Sequence, residues 1–175
     1  IAAGLLVLAG SAALYFIFRE KPVVTTPSYV SRQTDAGIFR DTLPDHSVAV
    51  VNSNSSIKYI AGLAGATRTV ALKGEAWFDV TNDPGKPFIV TVGDVSIKVL
   101  GTSFNVNTYD DEKTIRTTLL TGAVKVTPLP GSRHTALPKV LVPGQTGVLS
   151  KPDASGEAML TITETPDPDK IIAWK

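Results

Sequence analysis

Arg68-Thr69-Val70-Ala71-Leu72-Lys73-Gly74-Glu75-Ala76-Trp77-Phe78-Asp79-Val80-Thr81 is the stretch that decides the fold. Ala76, Phe78 and Val80 alternate with Trp77 and Asp79, the period of two that sends successive side chains to opposite faces of a pleated strand. Arg68–Lys73 is a second strand-like run, and Gly74 between them reads as a corner. The same grammar continues on both sides. Short runs rich in Val, Ile, Thr and aromatic residues occupy 47–51, 87–92, 95–100, 104–109, 115–120, 123–127, 140–142 and 159–163. Turn formers part them: Asn82-Asp83-Pro84-Gly85, Gly93-Asp94, Pro128 to Gly131 and Asp153 to Gly156. No stretch after Phe18 keeps an apolar period of 3.6 over three turns, so the expectation is an all-β domain.

A large apolar residue, any residue and then Gly recurs at Leu72-Lys73-Gly74, Val99-Leu100-Gly101, Leu120-Thr121-Gly122 and Val142-Pro143-Gly144. Spacings of this size suit stacked units that each turn a corner at Gly. Glycine at the turns of any β domain gives the same pattern. Two architectures therefore stay open, a short twisted β-solenoid-like domain and a two-sheet sandwich.

Composition narrows the function. Seventeen Lys and Arg against 16 Asp and Glu leave a net charge of +1, which is no basic clamp for nucleic acid. With 43% apolar and 19% charged residues the chain is not of the disordered, highly charged class. It has no Cys, which removes disulfides, thiolate metal sites and a cysteine nucleophile.

Residues 1–18 carry no charge and no Pro, and nine of them are Leu, Ile, Val or Phe. Eighteen helical residues cover about 27 Å, close to the hydrocarbon core of a bilayer. Tyr15, Phe16 and Phe18 stand next to Arg19 and Lys21, as residues of a membrane interface do, and Pro22 and Pro27 stop a helix. A cleaved signal peptide would place its small residues after the apolar run, and here Ser11, Ala12 and Ala13 precede more of it. A core helix would carry a polar face. The expected organisation is a transmembrane helix over 1–18, a tether over 19–32 and an all-β domain over 33–165.

Catalytic patterns are poor. Asp45-His46-Ser47 holds the residue types of a triad, but adjacent residues cannot form that relay, and a turn entering a strand explains them better. His134 has no ligand type nearby, so no zinc site is visible. Glu75 and Asp79 share a strand face about 13 Å apart, too far for a hydrolytic carboxyl pair. Asp110-Asp111-Glu112-Lys113 reads as a solvated hairpin tip. Trp77 beside Phe78 is either a carbohydrate platform or an outward, partly covered Trp backed by an inward Phe. The expectation is no enzyme, no metal and no cofactor.

Several ordered motifs carry a resemblance. Leu72 to Val80, with Gly74, Glu75 and Phe78, is similar to the "L-x-G-E-A-x-F-x-V" segment of the FecR family of membrane-spanning anti-sigma regulators. Pro87 to Val90, followed by Val99-Leu100-Gly101-Thr102-Ser103-Phe104-Asn105-Val106 and Tyr109, resembles its "PF-x-V" and "V-L-G-T-x-F-N-V-x-x-Y" elements. Leu119 to Val126 is similar to "L-x-x-G-x-V-x-V", and Leu141-Val142-Pro143-Gly144-Gln145 to "L-x-P-G-Q". Leu43-Pro44-Asp45-His46-Ser47-Val48 is similar to "L-P-D-G-S-x-V", with His46 in place of Gly. Gly74, Glu75, Phe78, Gly101, Thr102, Phe104, Asn105, Val106, Pro143 and Gly144 are expected to be structural.

The resemblance implies a cytoplasmic segment ahead of Ile1 that binds an extracytoplasmic-function sigma factor, one helix through the inner membrane, and a periplasmic domain. That domain would receive its signal from the signalling domain of a TonB-dependent outer-membrane transporter. Ala173-Trp174-Lys175 resembles the opening of a further subdomain, starting near 166. A catalytically inert, tethered β domain suits protein contact, with a strand added to an exposed edge as an inexpensive mode. Asn52, Asn54, Asp110 and Asp111 are the exposed candidates for that contact. The competing reading is a membrane-tethered carbohydrate- or envelope-binding β module built around Trp77.

Overall fold

The computed structural model describes residues 27–129, 137–150 and 158–175. Within them the chain forms β1 (Tyr29–Thr34), β2 (Phe39–Thr42), β3 (Val48–Val51), β4 (Ser55–Ile60), β5 (Arg68–Asp79), β6 (Phe88–Val92) and β7 (Val95–Val99). It continues with β8 (Ser103–Thr108), β9 (Thr114–Thr121), β10 (Val124–Pro128), β11 (Lys139–Leu141), β12 (Gln145–Ser150) and β13 (Leu160–Glu164). Short 3-10 turns cover Ala61–Leu63 and Pro168–Ile172. The domain is all-β.

Every described strand belongs to one hydrogen-bonded ladder, and β5 is its shared member. The first half of β5 pairs with β4 and, in the one parallel pairing among the described strands, with β6. Its second half pairs antiparallel with β3 and β8. The ladder thus has two limbs. Limb I runs β1-β4-β5-β6-β7-β10-β11, and limb II runs β2-β3-β5-β8-β9-β12-β13. Both advance in chain order, as a solenoid does. They also fold onto each other, as sandwich sheets do: Phe78 of limb II lies 6.0 Å from Phe88 of limb I and 5.4 Å from Phe104, all three fully buried. Joined through β5, the whole approaches a barrel.

The four repeated glycines explain this layout. Gly74 divides the two halves of β5, Gly101 separates β7 from β8, Gly122 separates β9 from β10, and Gly144 separates β11 from β12. Each stands where the chain passes from one limb to the other. Gly74, Gly122 and Gly144 have φ of 85, 87 and 84°, a region closed to most L side chains. Gly74 has a second constraint. A Cβ there would collide with the Ser55 hydroxyl and lie 2.8 Å from the Asn54 carbonyl. Gly74→Ala is expected to cost about 2–3 kcal/mol from strain and overpacking together, read as a lower urea midpoint at unchanged m.

Several expectations change in detail. The runs at 68–73 and 75–81 are a single twelve-residue strand, because a bent strand tolerates Gly74 without ending. Residues 29–32 of the expected tether form, with Gln33 and Thr34, strand β1, satisfied by six-residue pairing with β4. His46, standing where the resembling motif has Gly, takes a positive φ of 65°. The proposed span over residues 1–18 lies outside the described residues. Among those described, no helix is long and apolar enough to cross a membrane.

Candidate functional site

Arg68 anchors one end of the domain. It shares a strand face with Val70 and Leu72 and is 2% exposed, stacked over Phe88. Its guanidinium donates to the carbonyls of Lys86 (2.7 Å), Thr81 (2.8 Å) and Leu100 (3.2 Å), and to Asp45 Oδ2 at 2.8 Å. One side chain thereby ties the β2–β3 turn, the β5–β6 loop and the Gly101 corner together. Ser47 also donates to Asp45 from its amide and its hydroxyl. Burial pushes the Asp45 carboxyl up, but the hydrogen bonds from Ser47 and Arg68 and the charge of Arg68 together hold it below its ordinary 3.8. A lowered folded-state value gives stability that is present above the unfolded value and lost as pH falls through the folded one. Stability should therefore hold down to about pH 5 and fall below about pH 4, and Asp45→Asn should remove this part of the acid sensitivity in thermal melts at each pH. Asp45, His46 and Ser47 make a structural turn, with Leu43 N–H donating to Ser47 O at 2.8 Å.

The opposite end holds Gly74, Glu75, Asn105 and the contact candidates. Glu75, 8% exposed, accepts from Asn105 Nδ2 through Oε1 and from Asn52 Nδ2 through Oε2, both at 2.8 Å. Its amide donates to Ser55 Oγ at 2.9 Å, and its carbonyl accepts from Asn52 N–H at 2.9 Å. Tyr109 Oη donates to Ser53 O at 2.9 Å. The β3–β4 turn is thus clamped to β5 and β8. Over this clamp lies a polar cleft of about 400 Å³ that includes Asn54, Asp110, Asp35 and Lys73.

Of the four contact candidates, the structure brings Asn54 and Asp110 to that cleft. Asp111 is exposed beside it, and Asn52 is turned inward to Glu75. Phe78, Phe104 and Val106 are core, Gly101 and Gly144 are limb crossings, and Pro143 is exposed next to Gly144. Thr102 donates to Ala123 O at 3.1 Å across the corner.

Trp77 is 7% exposed. Its outer face is covered by Ile172 and Trp174, with Lys175 Nζ 3.5 Å from the ring centroid. A buried Trp77 offers no carbohydrate platform, which removes the feature on which the glycan-binding reading was built. Sequence reasoning did not find this cover, because it comes from a segment nearly a hundred residues away. It also passed over Arg68, although the period of two already put a cation on the face of Val70 and Leu72.

Among the described residues, no three His, Asp or Glu side chains gather to hold a metal. The domain is thus clamped at both ends, by Arg68 at one and by Glu75 beneath the polar cleft at the other. The sequence profile of the family described as "FecR protein" matches residues 32–125. The chain belongs to the FecR family. Two crystal structures of a "putative anti-sigma factor" from Parabacteroides distasonis ATCC 8503 superpose with TM-scores of 0.73 and 0.70. Each is 30% identical in sequence, over 84% of this chain and 64% of theirs. The chain thus spans less than two thirds of the length of these neighbours. No match was found among curated proteins.

Proposed function

We propose that this chain is the membrane span and envelope-facing domain of a regulator of an extracytoplasmic-function sigma factor. The observation that carries the reading is FecR membership together with 30% identity to a neighbour bearing the anti-sigma description. In this reading residues 1–18 cross the inner membrane, residues from 19 to the start of β1 form the link, and the β domain stands in the periplasm. Residues from 166 onward open a further subdomain. The signal arrives by contact with the signalling domain of a TonB-dependent transporter, and the polar cleft bearing Asn54 and Asp110 is the candidate surface for it. No catalytic step is required, since the output is a change of partner.

The test is affinity capture of the protein as its gene encodes it, against each extracytoplasmic-function sigma factor of the same genome. One of them should be retained, and deleting the residues ahead of the span should release it. Retention of none would refute the regulatory role.

A further inference from the structure

Charge is divided unequally between the two limbs. Among the described residues, the strands of limb I contain no Asp or Glu, while those of limb II carry Asp41, Glu75, Asp79 and Glu164. Register shows where the limb I cations lie. Lys58 is opposite Ala71, Lys73 is two residues from Ala71, Ala71 is opposite Thr91, and Ile89, two residues from Thr91, is opposite Lys98. Lys98 in turn faces Lys125 directly. Residues two apart on a strand, and residues directly paired across strands, share a face. Lys58, Lys73, Lys98 and Lys125 therefore stand on the outer face of limb I, and all four are exposed. From β4 to β10 they span about 19 Å, four inter-strand steps.

The side chains between them are uncharged: Thr69, Ala71, Ile89, Thr91, Ser96 and Thr127. Glu75, two residues from Lys73, is turned inward to Asn52 and Asn105. Asp35 and Asp110 line the cleft that Lys73 borders at one end of the face, and Asp83 and Asp94 lie in the loops before β6 and between β6 and β7. Lys73, Lys98 and Lys125 make no ion pair among the described residues. Like charges directly opposite on one face are destabilising, so the Lys98–Lys125 pair is a place where an external anion would be favourable.

The chain enters the domain on this same face. Tyr29 opens β1, the edge strand of this same limb. It pairs with Ile60, two residues from Lys58, so it lies on the lysine face, and Lys58 Nζ sits 4.7 Å from its ring centroid. Ten residues separate Phe18, the end of the proposed span, from Tyr29. Fully extended they reach about 35 Å at most, so the domain cannot leave the vicinity of the bilayer. A charged face within a Debye length of an anionic surface is drawn to it, and lysines with aliphatic stems among Ile and Thr suit a lipid interface.

We propose that the outer face of limb I is a seat for the anionic bilayer surface, contacted through Lys58, Lys73, Lys98 and Lys125. This rests on the membrane-anchored reading above. Seated this way, the domain is oriented with limb II and its acids turned toward the envelope space.

The test is lysine acylation by a water-soluble amine reagent, mapped residue by residue on the full chain in vesicles. The vesicles are phosphatidylcholine alone or with about 30% phosphatidylglycerol. The four lysines should react about five-fold more slowly in the anionic vesicles, recover at about 0.5 M NaCl, and leave Lys113 and Lys170 unchanged. The triple variant K58E/K98E/K125E should float with both vesicles and lose the difference at Lys73. Equal rates in the two lipids overturn the seat and leave the anchor standing, and that result would favour an acidic protein as the occupant. Equal slowing in both lipids also overturns it, since charge is then not the cause. Failure to float even with neutral vesicles removes the anchor and the seat together.

Discussion

Arg68→Ala should lower stability by about 4–5 kcal/mol, near the top of the range for breaking a buried ion pair. The loss has two parts. Asp45 is left as a carboxylate without its cation, and the carbonyls of Lys86, Thr81 and Leu100 lose their shared donor in a site with almost no water access. For a domain whose total stability is of order 5–15 kcal/mol, this is a large fraction, and melting should fall by roughly 10–15 °C. Arg68→Met is the informative companion. Apolar replacement often rescues a buried pair, but here the carbonyls of Lys86 and Thr81 stay unmet, Leu100 O keeping the Asp83 N–H at 2.9 Å, so Met should recover little of the loss. Arg68→Lys keeps the charge and loses the fork, and should retain more stability than either while staying below the parent. Chemical denaturation with an unchanged m-value is the measurement. A melt within about 3 °C of the parent would show that Arg68 is not the clasp of this end.

Glu75→Ala should cost about 3–4 kcal/mol, two charge-assisted hydrogen bonds at once. Asn105, 1% exposed, would then have no partner for its side-chain amide, since Asn105 Oδ1 already has none in the protein. Glu75→Gln should cost about 1 kcal/mol or less, for a specific reason. Asn52 is fixed by its Oδ1, which accepts from Ser53 N–H at 2.8 Å, and a Gln oxygen can still serve it. Asn105 is free to flip its amide and accept from the Gln nitrogen. A wide gap between the two variants therefore marks a geometric clamp, and equal losses would mark a requirement for the charge itself. Glu75→Ala should also loosen the β3–β4 turn, read as faster amide exchange at residues 53–56, and disorganise the cleft where Asn54 and Asp110 meet.

Much of the architecture was legible because it is written in local rules. The alternation through Ala76, Phe78 and Val80 predicted the inward Phe78 and the outward Trp77. Each recurring Gly stands at a change of limb, although the crossings from β1 to β2, β3 to β4 and β5 to β6 lack the motif, and the solenoid and sandwich alternatives merged into a ladder with features of both. What stayed hidden depends on distant partners. The tract Asn52 to Ser56 looks like solvated loop by composition, yet Ser55 and Ser56 begin β4. Ser55 is buried there because its hydroxyl serves the amide of Glu75, twenty residues on. Strand β1 is polar and mostly exposed, so it carries no hydrophobic period, and only pairing with β4 defines it. Trp77 is closed off by Ile172 and Trp174, a contact no window around Trp77 could reveal. The candidate cleft is of the same kind. Asn54 and Asp110 were each visible as turn residues, but their meeting follows from the Glu75 clamp.

The proposal that this domain works by contact, with its output at a sigma factor, has one direct measurement. A reporter driven by a promoter of the cognate sigma factor is followed in cells carrying the natural protein, before and after the transporter's ligand is supplied. Replacing the β domain by an unrelated folded domain of similar size, behind the same span, should leave sigma-factor capture intact and abolish the response to the ligand. An undiminished response from the replaced protein would contradict the account.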